Sequence, residues 1–231
     1  MTAATRRGRS EAGRAEVRRD LVAAAVALFA RDGYDDTTVD DIAAAAGVGR
    51  RTFFRYFRAK EEAISPDHAA ALARVAAVFE SAHPSEPPVV LALRAGAAVF
   101  DLYTDDPALS VARYRITHDV AVLRDRESAG VDHYRRLFTH HLRLRLADEP
   151  DGELRAAVIG SAIVAAHNLA LRGWLARGAP PAGIPAMLER YRRVADLLPT
   201  EAPDLAAVAL RLEAAVGRLE QQPAGSAILH P

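Results

Sequence analysis

Apolar residues recur three and four positions apart along almost the whole chain, and no alternating run is long enough for a sheet strand. Val17, Leu21, Ala24 and Leu28 set the pattern early. Leu72, Val75 and Phe79 repeat it, as do Leu123, Val131, Tyr134, Leu137, Phe138 and Leu142. Composition agrees: hydrophobic residues make up 50%, much of it alanine, and aromatics only 6%. Alanine and leucine favour helix, whereas strands draw on β-branched and aromatic side chains. The expected fold class is all-α.

Glycine and proline divide this pattern into elements. Residues 15–31 read as an amphipathic helix ending at Gly33. "DDTTVDDIAAAAG" offers Thr37 or Thr38 as N-cap and Gly47 as the stop of a short helix, 39–46. A helix over 50–57 follows a tight "VG" connection, which is the helix-turn-helix pattern. Beyond Lys60, Ser65 is the expected N-cap and Pro66 the first residue of a helix to about Ala82. Further helices are expected at 87–104, from 107 to about 116, and at 119–147, 153–177, 184–197 and 203–221, before a frayed tail. Helix 153–177 is apolar around most of its circumference, so it must be buried on more than one side. Ser65-Pro66 predicts a bend in the 60–68 connection.

The chain contains no cysteine, which excludes disulfides and thiolate metal sites. No apolar run reaches the length of a membrane span and no signal peptide precedes the first helix, so a cytoplasmic location without membrane association is expected. Net charge is zero but unevenly spread. Residues 1–60 hold 12 basic against 8 acidic residues, and residues 61–231 hold 18 against 22. A basic end on an acidic body points to a polyanionic partner at the N-terminus. Lys60 is the one lysine among 30 basic residues, a bias that reads as genomic and carries no functional weight by itself.

"GVGRRTFFRYFRAKEE", Gly47 to Glu62, interleaves aromatic and basic residues more densely than a solvated helix or a core helix needs. With the preceding "VRRDLVAAAVALFARD" and "GYDDTTVDDIAAAA", this stretch closely resembles the DNA-binding domain of the tetracycline-repressor (TetR) family of transcriptional regulators over roughly residues 15–62. The resemblance implies an all-helical homodimer: an N-terminal arm and helix-turn-helix domain, 1–62, and a helical effector-binding and dimerising domain, 63–231. It implies double-stranded DNA with a palindromic operator as partner, and a small-molecule effector. Gly49 departs from the family pattern, where many members carry serine or another capping residue, although glycine is itself an acceptable N-cap.

Physical reasoning arrives at the same surface. Arg50 and Arg51 stand at the N-terminal end of the expected recognition helix, where an arginine can bridge guanine O6 and N7. Phe53 and Phe57, four apart, share a face expected to pack near Leu28, Phe29, Val39 and Ile42. Phe54 lies off that face, free to touch a thymine methyl or a sugar, with Thr52 among the contact residues. Arg55, Tyr56 and Lys60, with Thr38, are expected on phosphates, and the resemblance supports Thr38, Tyr56 and Lys60 most directly. The arm "TRRGR" at 5–9 is a candidate for the minor groove or for no contact at all.

"FFRYFRAKEEAI", "LSVARYRITHDVAVLRDRE" and "NLALRGWLARG" are similar to the subgroup related to the mycofactocin-system regulator, which implies an acyl-CoA-like effector. By polarity within apolar surroundings, Arg113, Tyr114, Arg115, His118, His167, Asn168 and Trp174 are the candidate ligand contacts. The alternative is that His167 and Asn168 are satisfied between helices and the two arginines are paired at the surface. Enzyme readings find little to rest on. His140 and His141 point about 100° apart on a helix and cannot chelate together. "GVG" has no preceding strand, and no G-x-S-x-G elbow occurs. No metal or cofactor is expected. A helical lipid-binding or scaffold protein is the competing class, and it leaves the helix-turn-helix register unexplained.

Overall fold

The structure, a computed structural model, describes residues 11–198. The expectations for the arm at 5–9, for helix 203–221 and for the tail lie outside the described residues. Among the described residues every regular element is helical.

The first four helices pack into one small core. They are α1 (Glu11–Asp32), α2 (Val39–Ala45), α3 (Arg50–Tyr56) and α4 (Lys60–Ile64). Thr38 caps α2 through a capping box: its hydroxyl accepts from the Asp41 N–H while Asp41 Oδ2 accepts from the Thr38 N–H. Gly47, at φ 67°, ends the helix. The Gly47 N–H donates to Ala44 O and the Val48 N–H to Ala43 O, the paired bonds of a Schellman stop. That left-handed residue makes the sharp turn into α3, where Phe53 and Phe57 face Leu28, Phe29 and Ile42 in the core as expected.

The body comprises α5 (His68–Glu80), α6 (Pro88–Ala97), α7 (Asp101–Thr104), α8 (Pro107–Asp119), α9 (Ala121–Arg145), α10 (Gly152–Leu175), a 3-10 turn at Pro181–Gly183, α11 (Ile184–Arg192) and α12 (Val194–Leu197). α10 is central and packs against α6, α8, α9 and α11. It is long and apolar enough to pass for a membrane span, contrary to the sequence expectation. Its buried residues, among them Ile159, Ile163, Leu171 and Trp174, form the middle of the body's core instead.

Several boundaries differ from expectation, among them the helix expected to about 116, which runs to Asp119, and that expected over 184–197, which is interrupted at Arg193. Asp67, not Ser65, caps α5, because its carboxylate reaches the Ala70 N–H while Ser65 turns back onto Glu61 O. The helix expected over 87–104 breaks after Ala97. Gly96, a poor helix former, stands one residue before the break, and Val99 and Phe100 beyond it are both buried. A turn through 98–100 lets both enter the core. The bend at Ser65-Pro66 is present, with extended backbone at Ser65 between α4 and α5.

This packing can be tested at two buried sites. A Cβ on Gly96 would collide with the Tyr191 hydroxyl and lie 3.1 Å from its Cζ. That hydroxyl is fixed by donating to Leu93 O at 3.0 Å, so Gly96→Ala should cost about 1–3 kcal/mol in denaturant unfolding. Adding Tyr191→Phe should recover part of the loss. His167 is 8% exposed and stacks on Phe100 at 4.0 Å between centroids. Burial lowers its pKa to about 4, so the folded protein holds it neutral. Below pH about 6.5 the unfolded chain binds the extra proton, and stability falls as pH drops towards about 4, by on the order of 3 kcal/mol. Unfolding measured across this range should show a shallower decline in His167→Leu than in the parent.

Candidate nucleic-acid interface and effector cavity

Arg50, Arg51, Phe54 and Arg55 all stand on the exposed side of α3, opposite buried Phe53. Arg50 pairs with Asp40 of α2 at 2.7 Å, and its guanidinium lies 5.2 Å from the Phe54 ring centroid. Both members of the ion pair are more than half exposed, so the pair is weak and Arg50 is free to exchange Asp40 for a base edge. Asp40 was not anticipated, although its position in the first turn of α2 was legible. Thr52 is half-buried, and Thr38 is exposed with its hydroxyl engaged in the capping box.

Tyr56 and Lys60 are placed otherwise than expected. Tyr56 is half-buried beneath the Arg55 guanidinium and turns towards the body. The Lys60 ammonium donates to the carbonyls of Tyr34 at 2.6 Å, Thr37 at 3.0 Å and Asp35 at 3.4 Å. It also sits 4.1 Å from the Tyr34 ring centroid. Here Lys60 acts as a strut between α4 and the α1–α2 turn. A phosphate contact would compete with these carbonyls, the long contact to Asp35 O being the first to yield.

A cavity of 630 Å³ lies between this domain and the body. α8 forms one wall, and its periodicity explains why. Ser110, Arg113, Tyr114 and Thr117, on one stripe, line the cavity. Leu109, Ala112, Ile116 and Val120, on another, pack against the core of the N-terminal domain. His167 and Asn168 of α10 line the far side. Of the expected contacts, the cavity therefore gathers Arg113, Tyr114, His167 and Asn168. It excludes Arg115 and His118, which α8 turns outward to solvent. It also excludes Trp174, whose indole is buried and donates to Pro180 O at 2.9 Å. Tyr103, Tyr134 and His68 join from the body, and Arg18 and Phe57 from the N-terminal domain. No sequence periodicity pointed to these, because they converge from distant helices.

The polar groups in this cavity are incompletely satisfied. His167 Nε2 and Arg113 Nε are buried without a hydrogen-bond partner. The other arginines around the cavity each have a carboxylate: Arg18 with Asp67 at 3.2 Å, Arg126 with Glu62 at 2.8 Å and Arg172 with Glu127 at 3.3 Å. Arg113 makes no ion pair among the described residues. Burial, and then the neighbouring Arg18 guanidinium, hold its pKa below the ordinary arginine range. The result is an apolar chamber containing one uncompensated cation and one neutral imidazole with a free nitrogen.

Residues 21–63 match the family described as bacterial regulatory proteins, tetR family. A protein of Mycobacterium tuberculosis named as a mycofactocin biosynthesis transcriptional regulator, MftR, is 42% identical over 57 residues, which is 25% of this chain and 29% of that relative. The chain thus matches under a third of this curated relative's length. Among solved structures, a TetR-family transcriptional regulator from Syntrophomonas wolfei superposes with TM-score 0.57 at 17% identity, covering 79% of this chain and 96% of that one. FadR from Bacillus subtilis, solved in complex with stearoyl-CoA, superposes with TM-score 0.55 at 15% identity, covering 80% and 99%. At such identities the superpositions speak for the fold across both domains. The family match is thus confined to residues 21–63, and over the rest the chain shares the helical fold of these solved structures.

Proposed function

We propose that the protein is a ligand-responsive transcriptional regulator, a repressor that binds an inverted-repeat operator as a homodimer and is released by an apolar effector with an anionic end. The observation that carries this reading is the shared wall. α8 lines the cavity with one stripe and packs against the DNA-reading domain with another, so occupancy of the first bears on the position of the second. An effector that binds one spacing of the two reading heads better shifts the population towards it. The bent 60–68 connection is the covalent route for that shift, and α8 adds a packed one. The cavity volume lies within the range of small-molecule sites. The acyl-CoA-like class draws support from Bacillus subtilis FadR, which shares the fold and holds stearoyl-CoA in its solved complex.

On this reading Arg50 and Arg51 specify bases, Arg55 and Thr38 hold phosphates, and Phe54 meets a sugar or thymine methyl. Gel-shift titration against DNA upstream of the coding sequence tests it. Arg50→Ala and Arg51→Ala should each cost about 1–3 kcal/mol and relax base preference, while Arg55→Ala should weaken all sequences alike. A double Arg50/Arg51 variant that still separates its operator from random DNA would refute the assignment.

The homodimer reading rests on α10. Leu154, Val158 and Leu169 are 64%, 50% and 60% exposed, and with Ser161 and Ala165 they form one outward stripe opposite the buried face. Such a stripe suits a two-fold partner presenting the same helix. Leu154→Glu with Leu169→Glu should raise the dimer dissociation constant by at least about tenfold, equivalent to 1.4 kcal/mol. Sedimentation equilibrium measures this, and a parent protein that sediments as a monomer at micromolar concentration would rule the dimer out.

A further inference from the structure

We infer that the oxyanion of the effector is held jointly by Arg113 of the body and Arg18 of the DNA-reading domain, so that bound ligand bridges the two domains. The inference rests on the effector reading above and specifies its recognition chemistry. Both side chains line the same cavity, one from α8 and one from α1. Arg113 has a buried Nε with no hydrogen-bond partner, and the Asp106 carboxylate acts on it only at longer range, with no ion pair between them. Arg18 has one, Asp67, but through a single contact at 3.2 Å rather than a two-pronged one.

The remaining cations are committed elsewhere. Arg126 donates to Glu62 Oε1 at 2.8 Å, while Glu62 Oε2 accepts from the Arg58 N–H at 2.7 Å, so that carboxylate is satisfied on both oxygens. Arg172 faces Glu127. Among the charged groups around the chamber, Arg18 holds Asp67 through one contact, while Arg113 has no ion-paired carboxylate among the described residues. The two guanidiniums repel each other in the empty state, and an oxyanion between them removes the repulsion while supplying Arg113 with the acceptor it lacks. The apolar remainder of the ligand lies against Leu72, Val99, Ile163 and Leu171, and the free nitrogen of His167 offers a polar contact among them.

The consequence is mechanical. Arg18 also lies 5.3 Å from the centroid of Phe57, the residue that closes α3. An anion that draws Arg18 towards Arg113 competes with Asp67, whose other oxygen caps α5. Ligand binding then resets the contact between α1 and the start of the body, rather than acting on the body alone.

Calorimetric titration of the full chain without DNA tests this, using dodecanoate, dodecyl phosphate and dodecan-1-ol. Both anions should bind at least about tenfold more tightly than the alcohol, the expected return on charge-assisted hydrogen bonds. The tighter of the two identifies the head group as carboxylate or phosphate. Arg18→Met should weaken the anions by about tenfold and leave the alcohol unchanged. Asp67→Asn keeps an oxygen for the α5 cap but releases Arg18, so it should tighten anion binding. If Arg18→Met and Asp67→Asn both weaken it, the pair is merely a structural clip and the inference fails. Equal binding of alcohol and anions also overturns it while leaving an apolar effector in place. Binding of none of the three removes the apolar-effector reading itself, and the bridge with it.

Discussion

Helix α8 has to satisfy two cores at once, and the rest of the arrangement depends on its doing so. Thirteen residues between Pro107 and Asp119 present Leu109, Ala112 and Ile116 to the N-terminal domain and Ser110, Arg113, Tyr114 and Thr117 to the cavity. A helix with two occupied faces cannot rotate or slide without disturbing both. That restriction ties the cavity wall to the packing of the N-terminal domain, whose Tyr56 and Phe57, at the end of α3, also line the cavity. The Asp106 cap, accepting from the Leu109 N–H at 3.0 Å, sets where α8 starts and thereby which residues fall on which stripe.

The cavity is an imperfection in an otherwise close-packed body. A buried polar atom without a partner costs roughly 1–3 kcal/mol, and the chamber holds two such atoms on Arg113 and His167. A core shaped for stability alone would fill this space with leucine or pair the guanidinium. Neighbouring regions do that: Tyr191 finds Leu93 O, Trp174 finds Pro180 O, and Arg145 satisfies itself on the carbonyls of the 83–86 loop. Two of the three buried unpaired side-chain atoms among the described residues, on Arg113 and His167, belong to residues that line this cavity; the third is Glu61 Oε2.

The reading head shows the opposite arrangement. Several groups that fix its geometry are engaged, from the Thr38 capping box to the Lys60 ammonium on backbone carbonyls, although Glu61 Oε2 is buried without a partner. Its outward arginines are held only by exposed contacts, Arg50 to Asp40 and Arg55 over Tyr56. Rigid support beneath exchangeable charge is what a base-reading helix requires, since the scaffold must hold its register while the side chains trade partners.

Helix positions, most of their caps and the buried Phe53 and Phe57 were legible in the sequence, because periodicity and capping are set within a turn or two of the chain. The same locality explains the helix-turn-helix: Gly47 and its flanking alanines suffice to stop α2 and start α3. Where an outcome depended on a distant partner, the sequence was silent or misleading. Gly96 weakens the helix beside Ala97, but where the chain turns was not legible, and the turn carries Val99 and Phe100 into the core. That Lys60 also reaches the carbonyls of residues 34–37 was not legible, because those residues come to it only on folding. Arg113 and Arg115 are equivalent in composition and separate only when α8 is docked, and Arg18 joins the cavity from a helix far back in the chain. The helices and the exposed basic face of α3 were thus written in local stretches of residues. Which charges meet in the cavity was settled by folding alone, because meeting is a property of packed helices and not of any one of them.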